Sequence, residues 1–122
     1  MVKLITLIKR RSDLSMREFI DRYENGHRLI GEKYLKGFAT HYRRRFLLEP
    51  EPGTDAAMKP RHYDVVMEIW FPDQETMKKA FEGLSTPEAQ AEIAADEATL
   101  FERDTITSYV IEEHESDMGV AL

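Results

Sequence analysis

From Val2 to Arg10 the chain alternates, with Leu4, Thr6 and Ile8 on one side and Lys3, Ile5, Leu7 and Lys9 on the other. A period of two marks a strand, and apolar residues on both sides of its centre mark one covered on both faces. Ser12-Asp13-Leu14-Ser15 stops it. Ser15 followed by Glu18 forms a capping box: the hydroxyl accepts from the third helical amide and the carboxylate reaches back. Phe19, Ile20, Tyr23, His27 and Ile30 then recur at helical spacing as one buried stripe, and Gly31 or Gly37 supplies an end. Residues 40–48 form a second strand, Tyr42, Arg44, Phe46 and Leu48 opposing His41, Arg43, Arg45 and Leu47. Residues 49–62, with Pro50, Pro52, Gly53 and Pro60, make a long turn-rich connection of the kind that serves as a lid. A third strand covers residues 63–71, with Tyr63, Val65, Met67 and Ile69 on one face and Asp64, Val66, Glu68 and Trp70 on the other. Asp73 caps a second helix whose stripe is Met77, Ala80, Phe81 and Leu84. Pro87 opens a short Ala-rich helix from Glu88 to about Thr99, and residues 105–112 form the last strand.

The order β-α-β-β-α-(α)-β is the split βαβ pattern of the α+β ferredoxin-like fold: a four-stranded antiparallel sheet with helices on one face and here an extra short helix. Strands one and three are apolar on both faces, yet helices cover only one. A second copy of the sheet is the simplest cover for the other, so the expected assembly is a homodimer, a dimeric α/β barrel. The expected domain is a single one over residues 1–113, followed by a flexible tail at 114–122.

The length of 122 residues suits one core, and 42% hydrophobic residues place the chain well above the disordered range. There is no cysteine, which removes disulfides and thiolate chemistry and suits a cytoplasmic location. No apolar run is long enough to cross a bilayer, and the opening residues lack a cleavage signal, so no membrane is expected. The net charge of −6 argues against nucleic acid. Its distribution is uneven: residues 1–50 carry 12 basic and 6 acidic side chains, residues 51–122 carry 5 and 17. Opposite signs at the two ends suit two copies meeting, or simply solvated helix faces. His27, His41, His62 and His114 are scattered without metal-ligand spacing, and no glycine motif cradles a phosphate, so no metal or cofactor is expected.

The opening Val2–Arg11, then Leu14-Ser15-Met16-Arg17-Glu18-Phe19 and Tyr23-Glu24-Asn25-Gly26-His27, resembles the EthD family of dimeric α/β-barrel proteins. So do Asp96-Glu97, Leu100-Phe101 and the closing strand that ends on Glu112-Glu113. The resemblance implies a ferredoxin-like protomer, a homodimer, and a small cavity between sheet and helices for an organic, often aromatic, ligand. Fungal relatives look like dehydratases or decarboxylases of aromatic polyketides. The wider superfamily includes cofactor-free monooxygenases, cyclases and isomerases, so fold analogy alone does not choose the reaction.

His27 is the leading candidate for chemistry. It lies on the buried stripe and matches the family's helix-one histidine, where an imidazole acts as general base or acid; the bland alternative is a core histidine bonded to a carbonyl. Glu68, on the face assigned to the barrel interior, is the candidate second proton carrier or partner of His27, or else a salt-bridged glutamate. Tyr23, Tyr42 and Tyr109 are candidate donors to a carbonyl or enolate oxygen. Arg43 and Arg45 are candidates to orient an anionic substrate, or form a solvated edge face. Trp70 with Phe46 and Met67 is a candidate aromatic wall. The expected activity is that of a cofactor-independent lyase, isomerase or cyclase on a small aromatic or carbonyl-containing metabolite. A non-catalytic binding protein and a cofactor-free monooxygenase are the alternatives.

Overall fold

The computed structural model describes residues 1–121, with only the backbone described at Ala56; Leu122, the end of the expected flexible tail, lies outside the described residues. Strand β1 (Val2–Ile8) leads into helix α1 (Met16–Arg22). The Ser15–Glu18 capping box forms as the sequence predicts, each side chain 3.1 Å from the other residue's amide. The helix then widens into one π turn, Tyr23–His27, before resuming as α2 (Arg28–Leu35). It ends at Gly37, whose φ of +89° only glycine adopts cheaply. Strands β2 (His41–Phe46) and β3 (Val65–Phe71) follow, then α3 (Gln74–Leu84), α4 (Pro87–Leu100) and β4 (Thr107–Val110). Asp73 and Thr86 cap α3 and α4, accepting from the amides of Thr76 and Ala89.

The sheet order is β2-β3-β1-β4, with every pair antiparallel, which is the ferredoxin-like arrangement. Register assigns the faces. Leu4 pairs with Ile69, Thr6 with Met67 and Ile8 with Val65, while Tyr42 pairs with Ile69 and Phe46 with Val65. These residues face the helices. Phe19, Tyr23, Leu100 and Phe101 pack over Ile8 and Val65; Leu35 and Ala80 pack over Ile69 and Phe71. The opposite face carries Lys3, Ile5, Leu7, Arg43, Arg45, Val66, Glu68, Trp70 and Tyr109, and among the described residues no helix covers it.

The connection at 49–62 is irregular apart from a single 3-10 turn at Ala56–Met58. Its far end is held by Asp64, buried at the start of β3, which takes Arg10 and Arg61. Arg61 also donates to the carbonyls of Leu47 and Leu48, so one arginine ties both ends of the connection together.

Candidate functional site

The π turn places three chemically useful side chains within five residues. Its wider winding inserts one residue into the helix ladder, a distortion that recurs at functional sites. Here it carries Tyr23, Glu24 and His27 on the side facing the sheet. Tyr23 is 0% exposed. Its ring stands edge-on to Phe19, Phe46 and His27, so aromatic neighbours fix it from three sides.

His27 is held from two directions. Phe101 and Tyr23 pack edge-on against the imidazole at 5.1 and 5.2 Å between ring centres. Asp96, on α4, meets Nδ1 at 2.8 Å. An aspartate there makes Nδ1 the protonated nitrogen and leaves the lone pair on Nε2, the tautomer a general base requires. Among the described residues nothing hydrogen-bonds to Nε2. The imidazole side chain is 12% exposed, so the dyad sits at the edge of the core rather than sealed in it. Glu97 follows Asp96 and is half-buried; burial pushes its carboxyl up, and His27 and Arg103 pull it back.

On the sheet side, Arg44 reaches up to Glu24 in a two-point ion pair of 2.9 and 2.6 Å. That pairing with Glu24 raises its already strong basicity. Its guanidinium also lies 4.8 Å from the centre of the Tyr42 ring. The Tyr23 hydroxyl, buried beneath this arrangement, has no hydrogen-bond partner among the described residues. Burial pushes it well above its ordinary value of 10.0, the neighbouring Tyr42 hydroxyl adds to that, and Arg44 opposes it. The phenol is therefore a protonated donor whose polar neighbour, the Tyr42 hydroxyl, lies outside hydrogen-bonding geometry, an uncommon condition for a buried polar group.

The sequence-predicted residues thus divide between the two faces of the sheet. His27 and Tyr23 come together as expected. Glu68 does not join them, because its register with Ile5 and Arg43 puts it on the helix-free face, and Asp96 is the carboxylate His27 actually meets. Glu68, 7% exposed, spends both oxygens there, one on Arg45 and one on the Trp70 indole at 2.6 Å. Arg43 and Arg45 share that face, and Tyr109 stands exposed on it. Trp70 does not form a wall with Phe46 and Met67, which face the helices; Lys3, Arg43 and His41 surround its ring instead. The arginine on the helix side is Arg44.

Asp96 is the residue that sequence reasoning missed. The only available signal was an acidic pair, Asp96-Glu97, inside an otherwise Ala-rich helix. Tyr42, a candidate donor from the sequence, lines an open groove of about 340 Å³ between the C-terminal end of α2 and the start of β2, with Leu35 and Ala39 beside the polar Glu32, Lys36, Thr40 and His41. Among the described residues no cluster of His, Asp and Glu is built to hold a metal, and no helix is long and apolar enough to cross a membrane.

Comparisons with known proteins agree with this architecture. The family model described as the EthD domain matches residues 11–104. Among solved structures, an EthD family protein of Bacillus halodurans C-125 is 24% identical, with a TM-score of 0.62 over 93% of this chain and 99% of that one. A dimeric ferredoxin-like protein of unknown function from Thermobifida fusca YX is 11% identical, with a TM-score of 0.58 over 90% of this chain and 88% of that one. An antibiotic biosynthesis monooxygenase is 14% identical, with a TM-score of 0.55 over 94% and 100%. At these identities the structural likenesses bear on fold. Curated protein sequences return no significant match.

Proposed function

The chain belongs to the EthD family, and from that premise we propose that it is a cofactor-independent lyase, isomerase or cyclase acting on a small aromatic or carbonyl-containing metabolite. The observation that carries the reading is the Asp96–His27 pair beside the unpartnered Tyr23 hydroxyl. Nε2 of His27 takes a proton from carbon next to the substrate's carbonyl. Asp96 fixes the ring and steadies the imidazolium that forms. The Tyr23 hydroxyl, kept protonated by burial, donates to the oxygen on which negative charge develops. The imidazolium then returns the proton, to another carbon in an isomerisation or to a departing hydroxyl in a dehydration. Arg44, anchored by Glu24, supplies a fixed positive charge behind Tyr23. The working form in this reading is a homodimer, because the helix-free face carries Ile5, Leu7, Val66 and Trp70 with no cover of its own.

The test is proton exchange into a simple probe. Benzoylacetone in D₂O, followed by NMR, should lose its α-proton signal faster with the protein than without it. His27→Ala should lower the protein-dependent rate ~100-fold or more, the usual worth of a positioned base. Asp96→Asn should cost ~10- to 100-fold, as a partner that orients rather than reacts. A variant His27→Ala that still exchanges at the wild-type rate would overturn the assignment. Absence of exchange in the wild type, with oxygen uptake on polyphenols, would favour a monooxygenase; absence of both would leave a binding protein.

A further inference from the structure

Glu97 is the carboxyl that the mechanism above leaves unused. It follows Asp96 on α4, the helix that packs on the π turn, and its side chain is 19% exposed. Its ion-pair partner among the described residues is Arg103, on the 3-10 turn that follows α4. The Arg103 Nε stands 3.8 Å from Oε1, too far for a hydrogen bond. Burial pushes the Glu97 carboxyl up, and the charge of His27 is the next strongest influence on it. Neighbouring positions on α4 thus carry two different carboxyls: Asp96 is spent on the imidazole, while Glu97 is half-buried and keeps its oxygens free. Two titratable groups set in such different surroundings, both close to one histidine, suit an acid and a base. The clamp on His27 creates the need for the acid. Phe101, Tyr23 and Asp96 fix the ring, so Nε2 serves one point on a substrate. A base held there returns a proton best to the carbon it came from, which gives exchange and not elimination.

We propose that Glu97 is the second proton carrier of the site, the general acid that protonates a departing hydroxyl while His27 takes the proton from the carbon next to the carbonyl. This rests on the base assigned to His27 above, and it makes Glu97, in place of the imidazolium, the donor in a dehydration. In that step Nε2 takes the proton, and the C–H electron pair passes through the enolate into the new C=C bond. The C–O bond breaks, and the Glu97 O–H supplies the proton with which the hydroxyl leaves as water. An imidazolium and a carboxylate remain. The first gives its proton to solvent and the second takes one back, so no other reagent is consumed. The two carriers are coupled in the useful direction. Positive charge on His27 pulls the Glu97 carboxyl down against the burial that holds it up, so the proton loosens as the imidazolium forms. Arg103 then stands beside the carboxylate left behind. Glu68, the candidate second carrier from the sequence, lies on the other face of the sheet.

Two probes separate the carriers. Benzoylacetone exchange in D₂O reports the base alone. The β-hydroxyketone formed from benzaldehyde and acetone reports base and acid together, since its dehydration product absorbs strongly in the near ultraviolet. Glu97→Gln should lower the ratio of dehydration to exchange ~100-fold, the usual worth of a positioned acid. Glu97→Asp, which keeps the acid on a shorter arm, should recover part of that ratio. His27→Ala should lower both rates. Because Glu97 ionises above its ordinary 4.5, the wild-type ratio should fall as pH rises through that ionisation, and in Glu97→Gln it should stay flat. The groups that face Glu97 and set that point are His27 on the π turn, Arg103, and Asp96 beside it on α4. A ratio unchanged in Glu97→Gln overturns the proposal, and so does a wild type that exchanges but does not dehydrate; both leave the base assignment standing. Should Glu97→Gln fail to fold, the wild-type profile carries the test, and a ratio flat from pH 5 to 9 overturns it. A wild type that neither exchanges nor dehydrates removes the base, and this proposal with it.

Discussion

At the scale of single residues the site depends on a group left deliberately unsatisfied. A buried hydroxyl without a partner costs about 1–3 kcal/mol. Tyr23→Phe removes that hydroxyl and keeps the ring that Phe19, Phe46 and His27 pack against. It should therefore raise the melting temperature while lowering exchange activity, and a fall in both would mean that the hydroxyl has a structural partner. The pH dependence separates the two variants further. Burial holds the Tyr23 phenol protonated above its ordinary value of 10.0, so between that value and the higher folded one the unfolded chain binds fewer protons. Stability must then fall as pH rises through that window, and the fall should be shallower in Tyr23→Phe, which leaves the half-buried Tyr42 as the remaining phenol shifted upward by burial. Thermal melts from pH 9 to 11.5 check the slope. His27 and Tyr23 were legible in the sequence because both sit on one helical stripe. Asp96 was not, since it lies 69 residues away and only the packing of α4 on the π turn brings it to His27.

The elements themselves were more legible than their edges. The capping box, the Asp73 cap and Pro87 at the head of α4 are local signals, and each appears where residue chemistry puts it. The strands come out shorter than alternation suggested, β4 by the most, because pairing stops where a neighbour stops: β1 offers β4 partners only from Leu4 to Leu7. The π turn left no mark in the pattern, since Phe19, Tyr23 and His27 keep a spacing of four that an unbroken helix also satisfies. Two glycines in this helical stretch now make a matched test. At Gly26 a Cβ would meet nothing within 4 Å, whereas at Gly31 it would meet the Tyr42 ring. Gly26→Ala should stabilise by ~0.5–1 kcal/mol through helix propensity alone. Gly31→Ala should destabilise by ~1–3 kcal/mol by overpacking, despite the same propensity gain. Denaturant midpoints for the pair check both signs, and a gain at Gly31 would mean that Tyr42 leaves its seat freely.

At the scale of the whole molecule, the sheet's open face and its two free edges set the remaining problem. Ile5, Leu7, Val66 and Trp70 lie on a face no helix covers, and Glu68 is nearly buried there by its own neighbours, Arg45 and Trp70. The edge strands differ in charge. β2 presents His41, Arg43 and Arg45 to this face, while the chain beyond β4 runs out exposed through Glu112, Glu113, Glu115 and Asp117. Two sheets can close face to face with like edges together or with unlike edges together. Like edges would set arginines against arginines at one seam and carboxylates against carboxylates at the other. A two-fold axis running along the strands instead brings β2 of each copy beside β4 of its partner, so both seams are attractive. Sedimentation equilibrium at low micromolar concentration should accordingly give twice 14.2 kDa. Arg43→Glu with Arg45→Glu should shift the mass toward the monomer, and adding Glu112→Lys with Glu113→Lys should restore the dimer. The restoration is the decisive arm. Loss of the dimer alone could follow from freeing Glu68, which Arg45 holds, whereas recovery on reversing both signs requires the two edges to meet. A wild-type monomer would leave the apolar face for a different partner. A dimer indifferent to the first pair of changes would place the seams with like edges together.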